Sequence, residues 1–169
     1  REGFSGPSSL LYHRNMPEGA QDVSEGPADL MTPEHEQVHT NAHLKGFDLP
    51  SQGDVVSGRR WLLVNDDVHI GLVAPVTAQQ VLYVNGSADE VLFVQHGSGS
   101  LRSQFGHLAF KQHDYIVIPL GTIYRIDFDD LAAFAVLCMY VSGLVAVPVA
   151  YRHPNRHVTE LASYTHVHF

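Results

Sequence analysis

The chain has 169 residues, with 10 Lys and Arg against 18 Asp and Glu, a formal net charge of −8 and a pI near 5.8. That length suits one domain with extended arms, and the acidic balance offers no basic stripe for nucleic-acid phosphates or an anionic membrane surface. No apolar run approaches the roughly eighteen residues of a transmembrane helix, and the single cysteine, Cys138, excludes an internal disulfide and points to a reducing cytoplasm.

Residues 1–50 are rich in Gly, Pro, Ser and His and read as an irregular N-terminal arm. Pro7, Pro17, Pro27, Pro33 and Pro50 forbid a long helix there. A short helical turn is expected after Thr32-Pro33-Glu34, where Thr can cap and Pro suits the first helical position. Arg1 opens the chain in place of Met, which reads as a removed start or as a segment of a longer protein. From residue 51 the texture changes. Short β-type runs are expected at 55–56, 60–64, 68–74, 80–84, 91–95, 100–105, 107–110, 115–118, 122–127 and 132–141. Turn signals separate them: Asn65-Asp66-Asp67, with Gly97-Ser98-Gly99 and Phe105-Gly106-His107 as hairpin turns. Many short strands at near-regular spacing predict an all-β barrel or sandwich over 51–143. Cys138, inside Phe134-Ala135-Val136-Leu137-Cys138, reads as a buried strand thiol and not as a nucleophile. Residues 144–169 look like an extended exit segment that stops mid-texture.

Two strings carry the sharpest signal. Tyr83-Val84-Asn85 is followed by Glu90 and Gly97, and His113-Asp114-Tyr115-Ile116-Val117-Ile118-Pro119-Leu120-Gly121 is followed three residues later by Tyr124. Their spacing resembles the two motifs of the cupin family, an antiparallel β-barrel of the jelly-roll or double-stranded β-helix kind. In that pattern Tyr83, Asn85 and Tyr124 stand where three histidines belong, and His113 replaces a turn glycine. Residues i and i+2 of a strand share a face, so the set should point into the barrel. Phenols with pKa near ~10 are poor ligands for a divalent ion, and Asn offers one amide oxygen. Glu90 is then the single anionic ligand, and the expectation is a packed, hydrogen-bonded interior with no metal, cofactor or catalytic residue.

Longer strings resemble the N-terminal half of homogentisate 1,2-dioxygenase, bacterial type. They are Glu2-Gly3-Phe4-Ser5-Gly6-Pro7-Ser8-Ser9-Leu10-Leu11-Tyr12-His13-Arg14, then Asp54-Val55-Val56-Ser57-Gly58-Arg59-Arg60, then stretches within 82–106 and 114–125, and Tyr151-Arg152 through Thr159-Glu160-Leu161. The resemblance implies the fold and role of a subunit built from two cupin-like halves. Such a protein opens the ring of homogentisate with O2 to give maleylacetoacetate, in tyrosine and phenylalanine catabolism. Its non-haem Fe(II) is held in the C-terminal half, and it assembles into trimers or pairs of trimers. This chain matches the other half, so the resemblance implies that 144–169 lead to a C-terminal domain outside this sequence and that the chain by itself is an inactive scaffold. Tyr12-His13-Arg14-Asn15 imitates the start of the family's iron motif, but Glu18 falls one residue short and Pro17 intervenes, so no ligand position carries over. The stretch Arg152-His153-Pro154-Asn155-Arg156-His157 is less basic than in the family and leaves the substrate open between homogentisate and a related ring. The alternative is a free-standing, metal-free cupin that binds a small ligand or a protein.

His35, His39 and His43 recur at i, i+4 and i+8, and His166 and His168 at i, i+2; both sets read as solvated or interface histidines. Tyr83, Phe93, Phe105, Phe110, Tyr115 and Tyr124 could line a cavity but read mainly as core. In Arg59-Arg60 the two side chains should leave opposite faces, and a partner-facing salt bridge is expected.

Overall fold

The computed structural model describes residues 43–131, 135–143 and 145–146, with isolated earlier positions at 16, 19–20, 22–24 and 41. Contacts partition the chain into Arg1–Thr32 and Pro33–Phe169, and all the strands belong to the second unit. Among the described residues nine strands form: β1 Arg60–Val64, β2 Val68–Val73, β3 Tyr83–Val84, β4 Asp89–His96, β5 Gly99–Ser103, β6 Gly106–Phe110, β7 Tyr115–Ile118, β8 Ile123–Phe128 and β9 Ala135–Val141. One sheet has the order β1-β2-β9-β4-β7 and the other β3-β8-β5-β6. Within both sheets, neighbouring strands among the described residues run antiparallel.

The order identifies the architecture. β5 pairs with β6, β4 with β7, β3 with β8 and β2 with β9. Strands β2–β9 therefore form one long hairpin, outward along β2–β5 and back along β6–β9, rolled so that successive rungs alternate between two sheets. That is the all-β cupin-type jelly roll expected above. Its tip is a two-residue loop, Gln104-Phe105, between the paired Ser103 and Gly106, and Gly106 takes φ 119. No helix among the described residues is long and apolar enough to cross a membrane.

Alternation builds the core. Inward Glu90, Leu92 and Val94 of β4 meet Tyr124 and Ile126 of β8 and Val136 and Cys138 of β9, all of them buried. On β7, Ile116 and Ile118 are buried while Tyr115 and Val117 are exposed. Each fully buried aliphatic side chain is worth about 1.5–3 kcal/mol. Leu92, Ile126 and their neighbours thus supply the main drive for closing the sheets.

Three local expectations are corrected. Residues 55–56 form a turn and not a strand, because the Asp54 carboxylate accepts from the amides of Val56 and Ser57 at 2.9 and 2.7 Å and from Ser57 Oγ at 2.8 Å. The run 80–84 shrinks to Tyr83–Val84. Gln79 inserts its amide beside β8, accepting from the Ile126 N–H at 2.9 Å and donating to the Tyr124 carbonyl at 3.3 Å, where a longer strand would have paired. Gly97-Ser98-Gly99 is a corner and not a hairpin, since β4 and β5 lie in different sheets. Gly97 with φ 90 makes the corner possible. His113, standing where the motif has glycine, takes the same left-handed region at φ 73.

Candidate functional site

The motif positions meet at the barrel centre. Tyr83 and Tyr124 are directly opposite on β3 and β8, with ring centroids 5.6 Å apart at 83°. Asn85 follows β3 and turns the chain towards β4. Its Oδ1 accepts from the amides of Ser87 and Ala88 at 2.9 and 3.0 Å, and its carbonyl accepts from Gly121, whose φ is 76. Its remaining amide group donates to Glu90 Oε1 at 2.9 Å. Glu90, on β4, is fully buried and pairs across the sheet with Tyr140 of β9. Tyr124 donates its hydroxyl hydrogen to Glu90 Oε2 at 2.5 Å.

A buried carboxylate needs a counter-charge. Arg59 provides it, which corrects the partner-facing reading of the arginine doublet. The turn at 54–58 ends on Gly58, whose N–H donates to the Asp54 carbonyl at 2.8 Å, and it aims Arg59 inward. The guanidinium donates to Glu90 Oε1 at 3.3 Å and Oε2 at 3.2 Å, to Tyr124 Oη at 2.9 Å, to the Val55 carbonyl at 2.8 Å, and to the Tyr140 hydroxyl. It lies over the rings of Tyr140 and Tyr83, 5.1 and 5.6 Å from their centroids. Tyr83 and Tyr140 join hydroxyls at 3.3 Å, and Trp61 packs on Tyr140 with centroids 4.4 Å apart. Arg60 turns away and donates to Gln52 Oε1 at 2.7 Å.

The electrostatics follow from burial. Burial opposes the charge on Arg59, but the oxygens of Tyr124, Glu90 and Tyr140 outweigh it and hold its pKa well above the ordinary value. Burial also pushes the Tyr124 and Tyr140 phenols well above theirs, with Arg59 pulling down and Glu90 pushing further up. Both phenols are therefore neutral at pH 7, and the centre balances one negative against one positive charge. Burial likewise pushes the Cys138 thiol up to about 11.

Raised acid pKa values have a definite sign in stability. The folded chain keeps protons that the unfolded chain releases, so this stability is complete below the unfolded pKa and is lost as pH rises towards the folded one. For Cys138 the window runs from 9.0 to about 11, and the loss is on the order of 2–3 kcal/mol. Urea midpoints measured from pH 8 upward should fall across that window, and Cys138→Ala should remove the thiol's share. An unchanged profile in that variant would refute the assignment.

The centre does not fit the metal that the fold family implies. Glu90 has both oxygens engaged by Arg59, Tyr83 and Tyr124 are neutral phenols, and Asn85 is spent on Glu90 and on its own turn. A divalent ion about 4 Å from the guanidinium would meet about 8 kcal/mol of repulsion at an effective dielectric of 20. Among the described residues no three His, Cys, Asp or Glu side chains gather in a metal-binding group.

The remaining expectations fall elsewhere. His43 is exposed, while His35, His39, His166 and His168 lie outside the described residues. The core reading of the six aromatics holds for some of them and fails for Phe105 and Tyr115, which are exposed. Phe110 and Tyr124 are core, Phe105 is 60% exposed, and Phe93 stacks on His113 and packs at a tilt on Tyr115 on the outer face of the β4–β7 pair. The residues that motif reading passed over are Arg59 and Tyr140. One signal pointed to Arg59: a glutamate at an inward motif position without its histidines demands a cation, and Asp54 and Gly58 mark a turn just before this arginine.

No family model matches the chain. Over 163 residues, 96% of this chain, it is 28% identical to "Putative dioxygenase SSO1533" of Saccharolobus solfataricus and covers 42% of that protein. The chain thus spans less than half the length of this curated relative. Among solved structures, the Cnp3 cupin domain of Schizosaccharomyces pombe aligns with a TM-score of 0.46 at 11% identity, over 50% of this chain and 64% of that one. A cupin-2 domain protein of Shewanella frigidimarina aligns with a TM-score of 0.43 at 18% identity, over 49% and 78%. By its strand order the chain is a cupin-fold protein, and by sequence a distant relative of the Saccharolobus protein.

Proposed function

We propose that this chain is the N-terminal, metal-free half of a ring-cleaving dioxygenase of the homogentisate 1,2-dioxygenase type, serving as scaffold and subunit contact. The carrying observation is the likeness along 96% of the chain to a dioxygenase-named protein more than twice as long. A barrel centre closed by Arg59 and Glu90 agrees with chemistry housed elsewhere. In this reading the full-length cytoplasmic protein opens homogentisate with O2. Its Fe(II) is held by the C-terminal half, and its subunits form trimers or pairs of trimers.

Two preparations test this: the chain alone, and the chain extended by the coding sequence that follows it. Iron content and oxygen uptake with homogentisate are measured in both. The extended protein should hold iron and consume oxygen, and the chain alone should do neither. An iron-loaded extended protein that ignores homogentisate would sink the substrate. A stop codon directly after Phe169 would favour the free-standing binding module instead.

A further inference from the structure

Arg59 lies outside both motif strings, at the end of the turn before β1, yet its side chain ends where the motif residues converge. A guanidinium has five N–H donors. Here each has an acceptor: Val55 O from Nε, Glu90 Oε1 and the Tyr140 hydroxyl from one terminal nitrogen, Glu90 Oε2 and the Tyr124 hydroxyl from the other. Glu90 and Tyr124 occupy motif ligand positions. Asn85, at a third, reaches the cation through Glu90 Oε1, and Tyr83, at the fourth, through the Tyr140 hydroxyl and its own ring face.

We infer that Arg59 is the resident cation of the barrel centre, standing in a metal's place, and that it closes the site to metal ions independently of the lost histidines. A planar fork grips both carboxylate oxygens and orients two phenols, so it gathers the surrounding strands as a bound ion would. Being covalently tethered and only 1% exposed at the side chain, it cannot be exchanged for an ion from solution. The missing histidines remove donors; the guanidinium also removes the space and reverses the charge balance that a divalent ion requires.

These two causes separate experimentally, and the inference does not depend on the ring-cleavage reading. The triple variant Tyr83→His/Asn85→His/Tyr124→His restores the motif donors with Arg59 kept. A quadruple variant adds Arg59→Ala. Cobalt(II) is titrated into each, with visible absorption and dialysis stoichiometry as readouts. The quadruple variant should bind one cobalt at least about 100-fold more tightly, because only there is the like charge gone. Equal affinity in the two would overturn the inference. Should the quadruple variant fail to fold, Arg59→Ala alone is refolded with millimolar guanidinium, sodium or cobalt(II). Guanidinium alone should restore the folded fraction; no restoration, or restoration by all three, overturns the inference equally.

Discussion

Glu90→Ala is expected to lower the unfolding free energy by about 3–5 kcal/mol, since it leaves the Arg59 guanidinium charged and unpaired in the interior. The two side chains are 1% and 0% exposed, so solvent cannot replace the lost partner. Arg59→Ala should cost a similar amount by stranding the carboxylate. The double variant Arg59→Ala/Glu90→Ala should cost less than the sum of the singles, because neither charge then remains buried. Urea unfolding of the four proteins at pH 7 closes the cycle; additive losses would show that the pair is not coupled. Arg102 and Asp127 supply an internal contrast. They approach to 2.5 Å but are 50% and 34% exposed at the side chain, and Arg102→Ala should cost at most about 1 kcal/mol.

The second large effect is expected one residue before the arginine. At Gly58 a Cβ would run into the Gln52 carbonyl oxygen and lie 2.6 Å from that of Asp54. Both obstacles are backbone: Asp54 is held in the turn it builds with Ser57, and Gln52 is held by its N–H donating to the Ala74 carbonyl at 3.2 Å, so neither can swing aside. Gly58→Ala should therefore destabilise the chain by about 3 kcal/mol, the upper part of the overpacking range. It should also loosen Arg59, whose Nε bond to Val55 O depends on the same turn. Thermal unfolding measures the first effect. The second would appear as lost protection of the Arg59 side-chain N–H in exchange experiments. A variant as stable as the parent would mean that the turn relaxes freely and does not position the arginine.

Much of the barrel was legible in the chain itself. The strand 115–118 forms where it was expected, but the core reading of Tyr115 fails: Ile116 and Ile118 face inside with Tyr115 and Val117 outside, as the period of two requires. Motif spacing brought Tyr83, Asn85, Glu90 and Tyr124 to one place, and the motif glycines Gly97 and Gly121 adopt positive φ. His113 was visible as a departure, and its φ of 73 shows that the backbone kept the glycine conformation after the glycine was gone. Strand lengths were harder, because side chains competed for backbone partners. Gln79 took the place of ladder bonds beside β8, and Asp54 drew the Val55-Val56 pair out of strand geometry.

By itself the sequence determined the alternation of faces, the turn positions and the erasure of the histidine ligands, since each depends on residues within a few positions of one another. Only the tertiary structure decided what fills the centre. Arg59 and Glu90 are 31 residues apart, and Tyr124 and Tyr140 lie further still. Their meeting depends on how a long hairpin rolls up, and no local periodicity encodes that closure. A buried carboxylate announces that a cation must come; which one arrives is settled by where the rolled strands leave room for it.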